Sequence, residues 1–515
     1  MLSALFRNRA LGSVIPIVAL AASGAARADC PASGAARLGR TAQELAAAAQ
    51  AAIAGDEPRC VARGLALADM LERRGVAACA AADRIDQEQD ASPDVDLSAL
   101  RAVLDWRCGR ARDAWREARA AVELDPGATL GWSVLGMVLE ARFRQDAARA
   151  AYERALALDP AEATALWGMA RVAPTREQRN AYLRTYLEAA PSRGEPAERL
   201  RSARDNLAFF VTLGDRPIWQ LSKADLPGSL PLLPYVPRAG HLAGWIVRVK
   251  VGDEDKVPAL LDSGASGLHL SPHTARKAGI EPLAGGTLVG GGGKGEHGIE
   301  RGVLSVLDLG PVAFEHPVGM VAARSLHPQG LYNAILGVDL LGGTAVRFEP
   351  ARKLATILRA AEPAPVEDPL DEDPWSLPAG SLPVLEVEGQ LLVPVTWRGS
   401  SGSVDALALL DTGASRTFLD WDVATRLGGL QRGGQRSAAA YGGAVTVSGM
   451  MPFVRLGLGP FEEGLKEVAV FDLSERGRVA GVAVSGYVGL DVLSRHAVEL
   501  DLAGGVLSPV ETEPR

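Results

Sequence analysis

The chain has 515 residues, with 54 Lys and Arg against 62 Asp and Glu, a formal net charge of −8 and 47% hydrophobic residues. At roughly 100–200 residues per domain, this length predicts about three domains of ordinary globular composition. The acidic balance argues against nucleic-acid binding, which needs a basic face. Beyond the N-terminus, no apolar run reaches the roughly 18 residues that a membrane span requires.

Residues 1–28 read as an export signal. Arg7 and Arg9 precede the apolar segment Leu11 to Ala22, and Ala26-Arg27-Ala28 fits a small-x-small cleavage site. The expectation is an exported protein, periplasmic or secreted, with no membrane span left after cleavage. All four cysteines (Cys30, Cys60, Cys79 and Cys108) lie in the first quarter of the chain. An even number in an oxidising compartment predicts two disulfides. Four cysteines allow three pairings, of which sequential Cys30–Cys60 and Cys79–Cys108 is the one expected here. No His precedes His241, so no cysteine has a local His to activate it.

The region 29–95 is expected to be a helical cap carrying the cysteines, and 96–205 a helical repeat rich in Ala, Leu, Arg and Glu. Self-similarity recurs at 34 residues. The clearest copy runs Trp132-x2-Leu135-Gly136-x2-Leu139, then Ala148-x3-Tyr152-x2-Ala155 and Pro160. Ala114, Ala118, Ala121 and Pro126 occupy the same phases one period earlier, and Trp167, Gly168, Tyr186 and Ala189 suggest a drifting third copy. The pattern resembles the tetratricopeptide repeat, in which large residues fill holes left by small ones on paired helices. Such an array can either offer a surface to a protein partner or act only as a scaffold for the rest of the chain.

A linker over 206–240 leads to a different texture. Apolar alternation, Gly-rich turns and β-branched residues predict β structure. Ala259-Leu260-Leu261-Asp262-Ser263-Gly264-Ala265-Ser266 is matched by Ala408-Leu409-Leu410-Asp411-Thr412-Gly413-Ala414-Ser415, at an offset of 149 that also aligns Leu270 with Leu419 and Gly279 with Gly428. Downstream, Gly337-Val338-Asp339-Leu340-Leu341 matches Gly489-Leu490-Asp491-Val492-Leu493 at an offset of 152. One Asp-Ser/Thr-Gly triplet is weak evidence, because such tripeptides are common in turns. Two copies with shared flanks define a duplicated lobe, over 241–360 and 387–515, joined by a Pro- and acid-rich linker at 361–386. In each copy a hairpin precedes the Asp, Gly244 to Leu261 in the first and Leu391 to Leu410 in the second, which puts the carboxylate at the end of an apolar strand.

Each copy resembles a retropepsin-type lobe of the pepsin-like aspartic peptidases, with Ile335-Leu336-Gly337 and Tyr487-Val488-Gly489 as the later apolar-apolar-Gly run. The expected fold is therefore multidomain: an all-α helical repeat region followed by an all-β bilobal acid-protease fold. The resemblance implies an intramolecular pair of Asp262 and Asp411. It further implies that Ser263 and Thr412 grip the opposite lobe's backbone and that Gly264 and Gly413 hold the inner carboxylate oxygens. Gly290 to Gly295, including Gly292 and Gly293, and Ala440-Tyr441-Gly442-Gly443 are expected to be flaps over a cleft, with Tyr441 bordering the substrate. A peptide or protein substrate, no cofactor, no metal and a monomer complete that expectation.

Two carboxylates sharing one site cannot both ionise cheaply, so one can activate water while the other carries the proton for the leaving group. Ala265 and Ala414 stand where many pepsins have a supporting Ser, which predicts raised carboxyl pKa values and activity at mildly acidic to near-neutral pH. His269-x3-His273 lacks a clear third ligand for zinc. Asp339 and Asp491 read as structural acids at helix starts, Asp253-Glu254-Asp255 as a solvated turn, and Ser266 and Ser415 lack a His-Asp set. Two alternatives stand beside the peptidase: an inactive peptide-binding scaffold on the same fold, and lobes that pair with those of a second chain.

Overall fold

The computed structural model describes residues 30, 34, 41–55, 58–72, 78–79, 81–83, 94–237, 241–289, 296–327, 330–361, 366, 368–440 and 443–510. The expected export signal and the flap residues Gly292, Gly293, Tyr441 and Gly442 lie outside them. The chain divides into two compact units, Met1–Cys30 and Pro31–Arg515. In the first, only Cys30 is described, and it is buried.

The second unit opens with helices from Ala42–Ile53 to Ala197–Leu213. A capping box starts the first: Glu44 N–H donates to the Thr41 hydroxyl, and Thr41 N–H donates back to the Glu44 carboxylate. Asp94 caps Val95–Cys108, which ends at Gly109 in the left-handed conformation that glycine adopts without strain. Helices then alternate as Val95–Cys108 and Ala111–Leu124, Thr129–Ala141 and Gln145–Leu158, Ala163–Val172 and Arg176–Ala189. The leading helix of each pair begins at Val95, Thr129 and Ala163, which keeps the 34-residue period. Tyr152 is the joint between pairs. Its buried ring lies against Gly136 and Gly168; a Cβ on Gly136 would fall 2.6 Å from the ring, and one on Gly168 would overlap it. The Tyr152 hydroxyl donates to Glu140 at 2.8 Å. Of the two expected disulfides, Cys79–Cys108 is formed. Cys30 and Cys60 are each buried, as small apolar side chains are.

The segment 206–240 is not a bare linker. The last helix runs to Leu213, Gln220–Ala224 pairs with Val312–Glu315, Gly228–Pro231 pairs with Leu354–Arg359, and Leu233–Tyr235 pairs with Gly244–Val251. Edge strands of the β region would otherwise present unpaired backbone groups, and this segment covers them.

Each lobe repeats one topology. In the first, the hairpin Gly244–Val251 and Glu254–Asp262 pairs in parallel with Ala334–Gly337, which pairs antiparallel with Leu268–Leu270. In the second, the hairpin Gln390–Gly399 and Gly402–Leu410 pairs in parallel with Gly486–Val488, which pairs antiparallel with Phe418–Asp420. The strand pairs Glu281–Val289 with Glu296–Val303 and Gln431–Ala440 with Gly443–Leu458 extend these sheets. A third sheet is made by both lobes: Thr344–Glu349 pairs antiparallel with Val498–Asp501, bringing Ala345 opposite Asp501 and Phe348 opposite Val498. Val247, Leu261 and Leu336 of the first lobe and Trp397, Leu410 and Val488 of the second belong to one continuous apolar core.

The interlobe stretch 361–386 is likewise fastened. Arg142, fully buried after the helix Thr129–Ala141, donates to Pro374 O from Nε and Nη2 at 3.1 and 2.9 Å and to Gly505 O at 2.6 Å. It also donates to Val384 O and lies 5.3 Å over the Trp375 ring. Arg144 pairs with Glu372 at 2.7 Å. The helical region is thus bolted to the interlobe stretch at Pro374 and Val384 and to the second lobe at Gly505.

Candidate active site

Asp262 ends the strand Glu254–Asp262, opposite Gly337 in the parallel pairing. Asp411 follows directly on Gly402–Leu410, and its N–H donates to Val488 O at 3.0 Å. Both carboxylates therefore emerge at the ends of central strands, where the chain must leave the sheet. The turns that follow are braced by the residues themselves: Gly264 N–H donates to Asp262 Oδ1 at 2.8 Å, while Gly413 and Ala414 N–H donate to Asp411 Oδ1 at 2.9 Å each.

The two loops interlock. Ser263 Oγ donates to Leu410 O and Thr412 Oγ1 to Leu261 O, both at 2.8 Å. In return, Thr412 N–H donates to Ser263 Oγ and Ser263 N–H to Thr412 Oγ1, both at 3.0 Å. Four hydrogen bonds buried between lobes leave little freedom in how the loops face each other.

The carboxylates meet across that lock. A Cβ on Gly264 would lie 2.7 Å from Asp411 Cγ, and one on Gly413 would overlap the Asp262 carboxylate. Neither glycine has positive φ, so close approach, not backbone conformation, demands glycine here. Burial, partly offset by the N–H donors of Gly264 and Gly413, raises the Asp262 carboxyl above its ordinary pKa. Burial together with the charge of Asp262 pushes Asp411 well above it. Such a pair holds one proton between two acids over a wide pH range.

Asp339 and Asp491 brace the loops from behind. Asp339 accepts from Ser266 Oγ at 2.9 Å and from Gly267 N–H at 2.9 and 3.0 Å. Asp491 accepts from Thr417 N–H at 2.8 Å and Thr417 Oγ1 at 2.7 Å. Ser266 is therefore tied into a structural bond. Beneath the pair the lobes differ: His269 faces Ile335 across the strands of one, whereas Phe418 faces Tyr487 in the other, with ring centroids 4.3 Å apart. His269 is buried, its Nε2 lies 2.9 Å from Ser266 O, and burial pulls its pKa down. Burial, and then the charges of Asp411 and Asp262, push the Tyr487 phenol up. Among the described residues, no three His, Cys, Asp or Glu side chains gather as a metal site.

Sequence reasoning missed Gln390, whose Nε2 donates to Gly264 O at 3.3 Å, and Glu388 beside it. The dipeptide Glu388-Gly389 between apolar strands is a legible turn signal. Its contact with a loop 126 residues away is not.

A family model described as aspartyl protease matches the chain twice, over residues 247–340 and 393–492. Among the solved structures that match is one titled a crystal structure of a retropepsin-like aspartic protease from Rickettsia conorii. It is 19% identical, covers 25% of this chain and 89% of that chain, and superposes with a TM-score of 0.18. No curated protein matches the chain. The two family matches coincide with the two lobes, one Asp-Ser/Thr-Gly loop in each, so the β-rich part of the chain carries a bilobal aspartyl protease fold preceded by a helical region.

Proposed function

We propose that the chain is an aspartic endopeptidase that hydrolyses peptide bonds with water activated by Asp262 and Asp411. The observation that carries this reading is the reciprocal nesting of each carboxylate over the opposite lobe's glycine, inside one chain. With one proton shared, the ionised oxygen takes a proton from the attacking water. The protonated partner polarises the scissile carbonyl, and proton return to nitrogen releases the amine. The pair titrates as a unit, so neither residue is permanently the base. Substrate would lie extended between the flap stems, adding main-chain hydrogen bonds as a strand does. Gly292, Gly293, Tyr441 and Gly442 are proposed to close over it.

The rest of the reading has its own supports. The 34-residue helix spacing and the Tyr152 joint favour tetratricopeptide-like repeats, which would bring a protein target to the peptidase. The charged and apolar segments before Ala28, with a disulfide at Cys79–Cys108, favour export to a periplasm or the medium.

Digestion of a peptide library by the full chain, read by mass spectrometry, tests the activity. Cleavage is expected to disappear in Asp262→Asn, in Asp411→Asn and with a transition-state inhibitor of aspartic peptidases. A pH–rate maximum between mildly acidic and neutral values is expected from the raised carboxyls. Either Asn variant cleaving normally would refute the mechanism, and a folded wild-type chain that cuts nothing would favour the peptide-binding scaffold.

A further inference from the structure

The inward face of the helices is occupied by the protease region itself. The strands Leu385–Val387 and Gln390–Gly399 are joined by a two-residue turn, Glu388-Gly389, with Val387 opposite Gln390. Both turn residues have positive φ, +51° at Glu388 and +76° at Gly389. Hairpin turns of this kind favour Asn or Gly at the first position, and a glutamate there is strained. Its side chain is held from the helices. Arg171 Nη1 lies 3.0 Å from Glu388 Oε1, and Trp167 Nε1 donates to the same oxygen at 3.2 Å. Arg171 is itself fixed by Glu140 at 2.6 Å. A cavity of about 150 Å³ remains beside this contact, lined by Glu140, Tyr152, Trp167, Arg171, Arg199 and Glu388 among others.

The other side of the turn rests on the catalytic loop. A Cβ on Gly389 would overlap the Ser266 hydroxyl, so the backbone passes where only glycine fits. The next residue, Gln390, donates to Gly264 O. Three consecutive residues therefore run from the helical groove to the loop that holds Asp262 and receives the Asp411 carboxylate.

We propose that Glu388 is a positioning residue, through which the helical array sets the geometry of the Asp262 loop by way of Gly389 and Gln390. This rests on the peptidase reading for its kinetic consequence but not for its structural one. A backbone strain held by a distant clasp is a recognised mark of such a role. The helices then serve the catalytic pair directly, and recruitment of a target falls to their remaining surface.

The test uses the full-length chain. Glu388→Gly relieves the turn strain while removing the clasp, so a merely structural role predicts unchanged turnover and equal or higher thermal stability. The proposal predicts kcat lower by roughly tenfold with KM changed less than twofold, and faster amide exchange in a peptide spanning 262–267. Glu388→Gln, which keeps an acceptor for Trp167 and Arg171, should recover most of both losses. Gln390→Leu should reproduce the exchange change. Wild-type kcat together with wild-type exchange over 262–267 in Glu388→Gly would overturn the proposal. If the wild-type chain cleaves no peptide, the peptidase reading fails by itself, and the exchange comparison still decides the role of Glu388.

Discussion

The carboxylate of Asp411 occupies the space that a side chain on Gly264 would need. The relation is reciprocal between Asp262 and Gly413, so each lobe supplies both an acid and the gap that admits the other acid. The meeting of the two acids depends on two absent methyl groups as much as on two present carboxyls.

Replacing Gly264 by Ala should therefore displace Asp411 without unfolding the lobe. A Cβ 2.7 Å from Asp411 Cγ is closer than such atoms approach, and the carboxylate must yield. Peptide turnover is expected to fall by roughly 100-fold, the effect of a misplacement near 1 Å, while circular dichroism stays unchanged. Normal turnover in this variant would show that the nesting is dispensable.

The raised carboxyls also bear on stability. For acids raised above their unfolded value, the contribution is fully present below about pH 4 and is lost as pH climbs through the folded values. At neutral pH the buried charge on the pair thus weighs against folding. Asp411→Asn should abolish cleavage yet melt higher than wild type at pH 7, by about 1–2 °C for each kcal/mol relieved. The gap should close toward pH 3. A variant that melts lower at pH 7 would contradict burial and mutual repulsion as the cause.

The interlock of Ser263 with Thr412 lends itself to a double-mutant cycle. Each Ala substitution strips a donor from the opposite carbonyl and an acceptor from the opposite N–H, at a cost of about 1–3 kcal/mol. The second loss should cost less than the first, because the four bonds span one loop-to-loop contact that is already loosened once either hydroxyl is gone, leaving a coupling of at least about 0.5 kcal/mol in urea titrations. Strict additivity would mean the two hydroxyls act independently.

Arg142 joins the helices to the interlobe stretch at Pro374 and Val384 and to the second lobe at Gly505. Burial and the neighbouring Arg144 pull its pKa down to about 9, so it stays charged at neutral pH. Lysine carries the charge but not the planar fork that reaches Pro374, Val384 and Gly505 together. Arg142→Lys is expected to destabilise the chain by about 2–4 kcal/mol and to speed proteolysis within 361–386. Unchanged melting and cleavage patterns would remove Arg142 from this role.

Much of the site was legible in the sequence because its chemistry is local. The apolar strand, the acid and the glycine turn are consecutive at Asp262 and again at Asp411, and duplication made the pair conspicuous. The residues that emerge only in the fold act through separation in sequence. Gln390 reaches Gly264, and Arg142 reaches Gly505, through packing that no local pattern encodes. The segment 206–240 read as a linker because its strands are short and Pro-interrupted, yet an edge strand needs only a neighbour's free backbone to pair. The disulfide expectation held at Cys79–Cys108, although an even number of cysteines implies bridges without saying which thiols meet.

The lobes share a seam in which Thr344–Glu349 of one and Val498–Asp501 of the other are neighbouring strands of a single sheet. Parting the lobes would unzip that seam and the lock of Ser263 and Thr412 together. The molecule therefore does not open like a book: any movement that admits a ligand to the acids has to leave that seam and that lock intact.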